Sequence, residues 1–171
     1  MILRPATPDD IPALAKLGSE SFVAKFGHLY SQDNLDRFLE DCFSEAAIAG
    51  ELADSNRLYQ LAVSDEGTLA GYCKIAFKTA FPEHARRSKA MELKQLYTDP
   101  ARTGQGIGAM LLEWAMREFT ARGADEVHMS VYAENFGAHK FYSRHGFEKI
   151  ADIEFWVGNH RDDEFLFAQM L

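Results

Sequence analysis

Residues Thr103 to Ala109 read Thr-Gly-Gln-Gly-Ile-Gly-Ala, with glycines at alternate positions. Before them an apolar-rich run, Met91 to Thr98, stops at Asp99-Pro100. After them Ile107, Met110, Leu111, Trp114, Ala115 and Phe119 recur at helical spacing, and Gly123 stands where a helix would end. Glycines let a backbone approach a ligand closely, and the free N–H groups of a first helical turn point at whatever lies in front of them. A strand, a glycine turn and a helix in series therefore make a site for an anion. It is not a Walker loop, because no Gly-Lys-Ser/Thr closes it. Nor is it a dinucleotide fingerprint, since Gly104, Gly106 and Gly108 give G-x-G-x-G rather than G-x-G-x-x-G. Taken alone, the stretch is also compatible with a plain tight turn between strand and helix.

The longer run Tyr-Thr-Asp-Pro-Ala-Arg-Thr-Gly-Gln-Gly-Ile-Gly-Ala-Met-Leu-Leu resembles the acetyl-CoA pyrophosphate loop of the GNAT N-acetyltransferases, whose pattern Gln/Arg-x-x-Gly-x-Gly/Ala falls here on Thr103, Gly106 and Gly108. Thr103 stands where Gln or Arg is usual, with Arg102 one residue early; a backbone cradle survives this change, and CoA affinity is what it bears on. A second block, Asn135-x-x-Ala138-x-x-Phe141-Tyr142-x-x-x-Gly146-Phe147, resembles the family's short helix beside the CoA tail.

The resemblance implies that N–H groups of Gly104, Gln105, Gly106, Ile107, Gly108 and Ala109 hold the pyrophosphate, while the backbone of Leu96, Tyr97 and Thr98 pairs with the pantetheine arm. It implies that Asn135 hydrogen-bonds that arm or a nearby backbone group, and that Tyr142 is the general acid at the thioester sulfur; the plainer reading of Tyr142 is a core aromatic beside Phe141 with its hydroxyl merely satisfied. A phenol suits that role, since with a pKa of about 10 it stays protonated at neutral pH yet can donate to a developing thiolate. Lys140 would reach the 3′-phosphate or the pantetheine side, unless it is simply a solvated helix lysine. An amine acceptor arrives as an ammonium and must lose a proton before it can attack. Glu92 lies at the offset from Thr103 where histone-type members place a basic glutamate. A strand residue ion-paired with Lys94, with water taking the proton instead, is an equal reading.

The resemblance extends over most of the chain to the PaiA-type spermidine/spermine acetyltransferases, through Ser21-Phe22 to Tyr30, Leu35 to Phe43, and the ending Phe155-Trp156-Val157-Gly158 to Leu171. It implies an acceptor cleft lined by Phe22, Phe26, Tyr30, Phe155 and Trp156, with Glu92 at the amine. Asp33, Asp36, Glu40 and Asp41 would attract cationic nitrogens. The plainer alternative makes the aromatics core and the acids a solvated helix face.

These residues need elements to position them. Ile2 to Pro5 reads as a strand, followed by a helix start at Thr7-Pro8-Asp9-Asp10 and an apolar stripe Ile11, Leu14, Leu17, Phe22 and Phe26. A second helix holds Leu35 to Phe43 and runs on through Ile48. Leu58 to Val63 and Leu69 to Phe77 form a hairpin. Val127 to Tyr132 is a strand, Asn135 to His145 a helix, and Phe147 to Ile150 and Glu164 to Met170 are closing strands joined by a polar turn at Gly158 to Asp163. The expected architecture is α/β: a mixed, mostly antiparallel sheet of about seven strands flanked by about four helices, in a single domain over residues 1–171.

The 171 residues carry a net charge of −8, 47% hydrophobic and 26% charged side chains, ordinary for one globular domain. The acidic balance disfavours nucleic acid and mildly favours a cationic substrate. No run approaches a membrane span and Met-Ile-Leu-Arg-Pro is not a signal peptide, so a cytoplasmic location without membrane attachment is expected. Cys42 and Cys73 lack CxxC spacing, and the six histidines lack metal-ligand spacing; no metal is expected. The function expected from the resemblance is direct transfer of acetyl from acetyl-CoA, as co-substrate, to a primary amine, a polyamine above all, by a possible homodimer. The alternatives are another amine acceptor, or a module that senses acyl-CoA without catalysis.

Overall fold

The structure is a computed structural model that describes all residues, 1–171. Its strands are β1 (Ile2–Pro5), β2 (Arg57–Val63), β3 (Leu69–Ala76), β4 (Ala90–Thr98), β5 (Glu126–Tyr132), β6 (Glu148–Val157) and β7 (His160–Met170), and its helices α1 (Ile11–Phe26), α2 (Gln32–Phe43), α3 (Glu45–Leu52), α4 (Ile107–Ala121) and α5 (Phe136–Arg144). All seven strands form one sheet, ordered β1-β2-β3-β4-β5-β7-β6, in which every neighbouring pair is antiparallel except β4 and β5. The mixed, mostly antiparallel sheet is as expected. No helix is long and apolar enough to cross a membrane.

The expected helix through Ile48 is two helices. Ser44 leaves helical backbone (ψ 155) and its hydroxyl accepts the N–H of Ala47, so α3 starts with a cap of its own. The polar turn expected at Gly158 to Asp163 shrinks to Gly158-Asn159, because β7 begins at His160. That places Asp162 and Glu164 on one face of a strand, where period-two alternation makes them neighbours.

One face of the sheet is covered by α4. Its buried stripe of Ile107, Leu111, Leu112, Ala115 and Phe119 packs on Cys73, Ile75, Met91, Leu93, Val127 and Met129. Each of the isoleucine, leucine and phenylalanine side chains contributes roughly 1.5–3 kcal/mol through removal from water. The other face carries α1 and α3, which seat Leu14, Leu17 and Ile48 on Tyr59, Leu61 and Tyr72, and α2, which joins Phe22, Leu35 and Phe43 to Val157. Gly18 lets α1 come close: a Cβ there would lie 2.6 Å from Phe43 and 2.8 Å from the Tyr72 hydroxyl.

The sheet opens in its middle. β4 pairs with β5 only at Ala90–Glu126, Met91–Val127 and Glu92–His128. Past Glu92, β4 keeps its β3 partner and runs on to Thr98, while β5 runs on beside β7. The register shift between Lys74 and Ile75, opposite Lys94, marks a bulge; bulges bend a strand and end pairing on one side. A wedge therefore lies between the ends of β4 and β5, and the α4 N-terminus sits at its mouth.

Candidate functional site

The glycine turn becomes a row of free donors. Gly104 and Gly106 take left-handed backbone (φ 83 and 78), which turns the chain into α4 without a Cβ penalty. From Thr103 to Ala109 no backbone N–H donates to a protein acceptor; the first bond of the helix runs from Met110 to the Gly106 carbonyl at 3.0 Å. A Cβ at Gly104 or Gly106 would meet nothing within 4 Å, so the space ahead of the donors is open. The Thr103 hydroxyl bonds back to the Pro100 carbonyl at 3.0 Å, and Arg102 pairs with Asp99 and Glu66. The cradle is backbone alone.

Beside it, Leu96, Tyr97 and Thr98 lie on the unpaired reach of β4. Asn135 caps α5: its side-chain oxygen accepts the Ala138 N–H at 3.3 Å, leaving its amide donors free. Tyr142 is 6% exposed, its ring wedged between Phe141 and Phe147, and its hydroxyl has no protein partner. Burial pushes its pKa well above the usual phenol range, with Tyr97 adding to the effect; Tyr97 is itself raised by burial and by the charge of Glu164. Both phenols are proton donors at any physiological pH. Lys140 is exposed and free of ion pairs.

On the face opposite α4, a recessed cleft is lined by Phe22, Phe26, Tyr30, Tyr132, Phe155, Asp162 and Glu164. The rings form a continuous wall: Phe22 stacks on Tyr30 at 5.9 Å and lies 5.2 Å from Phe26, which meets Tyr132 edge-on at 5.8 Å. Asp162, 5% exposed, accepts from the Tyr30 hydroxyl and, at 3.1 Å, from His160. Glu164 accepts from the Ser130 hydroxyl, and burial with the nearby Asp162 charge raises its pKa to about 7.

The structure brings Phe26 and Tyr30 to this cleft but not every residue expected there. Trp156 is 55% exposed and opposite Arg161 on the hairpin; its neighbour Phe155 turns inward against Phe38 instead, since adjacent strand residues face opposite ways. Asp33, Asp36, Glu40 and Asp41 lie on the solvated side of α2. Glu92 is held elsewhere: its side chain, 4% exposed, accepts the Ala80 N–H at 2.8 Å and lies 3.1 Å from Lys94 Nζ. It sits in register with His128, whereas Glu164 sits opposite Tyr132, so four residues of β5, about 13 Å, separate the two levels. Sequence reasoning missed Asp162 and Glu164; their signal was the spacing Asp-x-Glu, hidden by reading Asp162 as part of a turn.

An open wedge with strand groups on one side and an unpaired N–H cradle at its mouth offers donors to an extended anionic ligand. Residues 18–147 match the model of the Acetyltransferase (GNAT) family. An uncharacterised N-acetyltransferase of Lactobacillus delbrueckii subsp. lactis is 25% identical over 95% of this chain and 92% of its own length. The spermidine N(1)-acetyltransferase of Thermoplasma acidophilum is 24% identical over 89% of this chain and 90% of its own. Among solved structures, the PaiA N-acetyltransferase of Thermoplasma acidophilum in complex with coenzyme A superposes with TM-score 0.80 at 21% identity, covering 99% of this chain and 98% of that one. The ribosomal-protein-alanine N-acetyltransferase of Brucella melitensis superposes with TM-score 0.70 at 20% identity, covering 100% of both chains.

Proposed function

The chain belongs to the GNAT acetyltransferase family and is an acetyl-CoA-dependent N-acetyltransferase, and from that premise we propose that it acetylates a primary amine of a small cationic acceptor of polyamine type, by direct attack with both substrates bound. The observation that carries this reading is the cleft: two recessed carboxylates, Asp162 and Glu164, inside a wall of Phe22, Phe26, Tyr30, Tyr132 and Phe155. Aromatic faces attract cations and cover methylene chains, and desolvated carboxylates select positive charge. An alkyl chain carrying ammonium groups matches both. The likeness to a spermidine acetyltransferase supports the same class, whereas the likeness to a ribosomal-protein-alanine acetyltransferase belongs to the fold alone. A cytoplasmic location accords with such a substrate.

In this reading the N–H groups of Gly104 to Ala109 hold the pyrophosphate, and Leu96, Tyr97 and Thr98 extend the sheet to the pantetheine arm. Asn135 donates its free amide to that arm. Tyr142 gives its proton to sulfur as the C–S bond breaks. Acetyl-CoA supplies the activated acyl group; orienting it and moving protons are the work of these residues. The test is release of free CoA from acetyl-CoA with spermidine, spermine, a lysine peptide, free amino acids and an aminoglycoside as acceptors. Saturable turnover with polyamines alone is expected. Preference for an acceptor that carries a carboxylate beside its amine would remove the polyamine assignment.

A further inference from the structure

We propose that Glu164 is the general base that takes the proton from the acceptor ammonium, and that Asp162, locked by Tyr30 and His160, is the positioning residue beside it in the same recess. The inference rests on the acceptor cleft of the proposed function. Its starting point is that the two carboxylates share one recess but are not equally committed. Asp162 has a donor on each oxygen: the Tyr30 hydroxyl on one, His160 on the other. Glu164 has only the Ser130 hydroxyl. Asp162 is thereby fixed in place, whereas burial in an apolar wall, with the Asp162 charge beside it, raises the Glu164 carboxyl to about 7.

The surroundings of Glu164 agree from every side. Ser130 and Tyr132 face it from β5, Asp162 from β7, Tyr30 from the segment between α1 and α2, and Tyr97 from β4. No lysine or arginine pairs with either carboxylate; the group able to carry positive charge is His160, held 3.1 Å from Asp162 and against the Tyr30 ring. Its charge bears on Tyr97, and Tyr97 bears on Tyr142 in turn, which makes Tyr97 the link between the two groups. Glu92 lacks these properties, since Lys94 and the Ala80 N–H already hold its oxygens. The protons balance. The ammonium gives one to Glu164, which passes it to solvent; the C–N bond forms and the C–S bond breaks. The sulfur receives a proton from Tyr142, and the surplus proton leaving nitrogen goes to solvent, from which Tyr142 is reprotonated, leaving amide, free thiol and one net proton released.

The experiment is the pH dependence of kcat/KM, which reports the free enzyme, measured with the best acceptor of the panel for wild type, Glu164→Gln, Asp162→Asn and Glu92→Gln. Wild type should lose activity below pH 7 with unit slope. Glu164→Gln should lose about 10²-fold or more and the limb with it. Asp162→Asn should keep the limb but move it down by about one unit, because the like charge is gone. An unchanged limb in Glu164→Gln, or a limb abolished by Glu92→Gln, would overturn the proposal. A second readout needs no acceptor. A carboxyl raised in the folded state binds its proton more tightly there than in the unfolded chain, so it disfavours the fold increasingly as pH rises from the ordinary glutamate range through 7. Glu164→Gln should therefore gain Tm over wild type at pH 8 and not at pH 5; an equal offset at both would count against Glu164. Failure of the acceptor panel touches the substrate class and leaves this titration standing.

Discussion

Tyr142 has its ring fixed on both sides by Phe141 and Phe147 while its hydroxyl is left without a protein acceptor. A hydroxyl recessed this far costs stability unless water or a ligand accepts from it, so the position is informative: the partner is expected in the wedge. Tyr142→Phe should lower kcat on the order of 10²-fold while the KM for acetyl-CoA stays nearly constant. A large rise in that KM would make the hydroxyl a binding group instead. At Gly106 the backbone is left-handed and the space ahead is empty, so Gly106→Val brings two effects together, about 1–2 kcal/mol of strain and a side chain in the cradle. Gly106→Asn separates them, because asparagine tolerates the conformation but still fills the cradle. Acetyl-CoA affinity should fall at least tenfold in both, measured by calorimetry, and Tm should fall mainly in the valine variant. These two residues were legible in the sequence because each belongs to a contiguous motif. Glu164 was not, because the role proposed for it depends on Asp162, Ser130 and the rings of α1, which come together only in space.

The clasp between the chain around α2 and the β6–β7 hairpin closes one side of the cleft proposed to take the acceptor. Besides Tyr30–Asp162, Asn34 donates to Asn159 at 2.6 Å, and a Cβ on Gly158 (φ 59) would stand 2.1 Å from the Asn34 side-chain oxygen. Gly158→Ala should therefore loosen the clasp, raising the acceptor KM severalfold with the acetyl-CoA KM unchanged. Equal changes in both would place the effect in the fold rather than the cleft. The hairpin is also where the sequence misleads most. Gly158-Asn159-His160-Arg161-Asp162-Asp163 is polar throughout and looks like a long turn. The left-handed Gly158 lets the chain reverse within two residues, and cross-strand pairing with β6 then makes strand of the remainder. Local composition could not show that, since the partner strand supplies the hydrogen bonds.

At the scale of the molecule, the wedge makes ligand binding and stability one equilibrium. The unpaired reach of β4 and the open cradle are polar groups that only a ligand or water can satisfy, so acetyl-CoA should stabilise the folded chain by about 2.7 kcal/mol at a hundred times its Kd. Differential scanning fluorimetry should show a Tm that climbs with acetyl-CoA and barely moves with CoA fragments lacking the pyrophosphate. At the acid end, Arg4 holds the Asp10 carboxyl down to about 2, a contribution present above the ordinary aspartate range and lost as pH falls through that value. The sequence by itself determined the parts that are contiguous: the glycine turn, the short helix carrying Tyr142, the mixed sheet and the acetyltransferase class. Their signals are periodicity and motif, which are local and survive without a fold. The tertiary structure alone decided which carboxylates line the cleft. Register places Glu92 beside His128 and Glu164 beside Tyr132, and a side chain's neighbours across a sheet are set by pairing, not by its place in the chain.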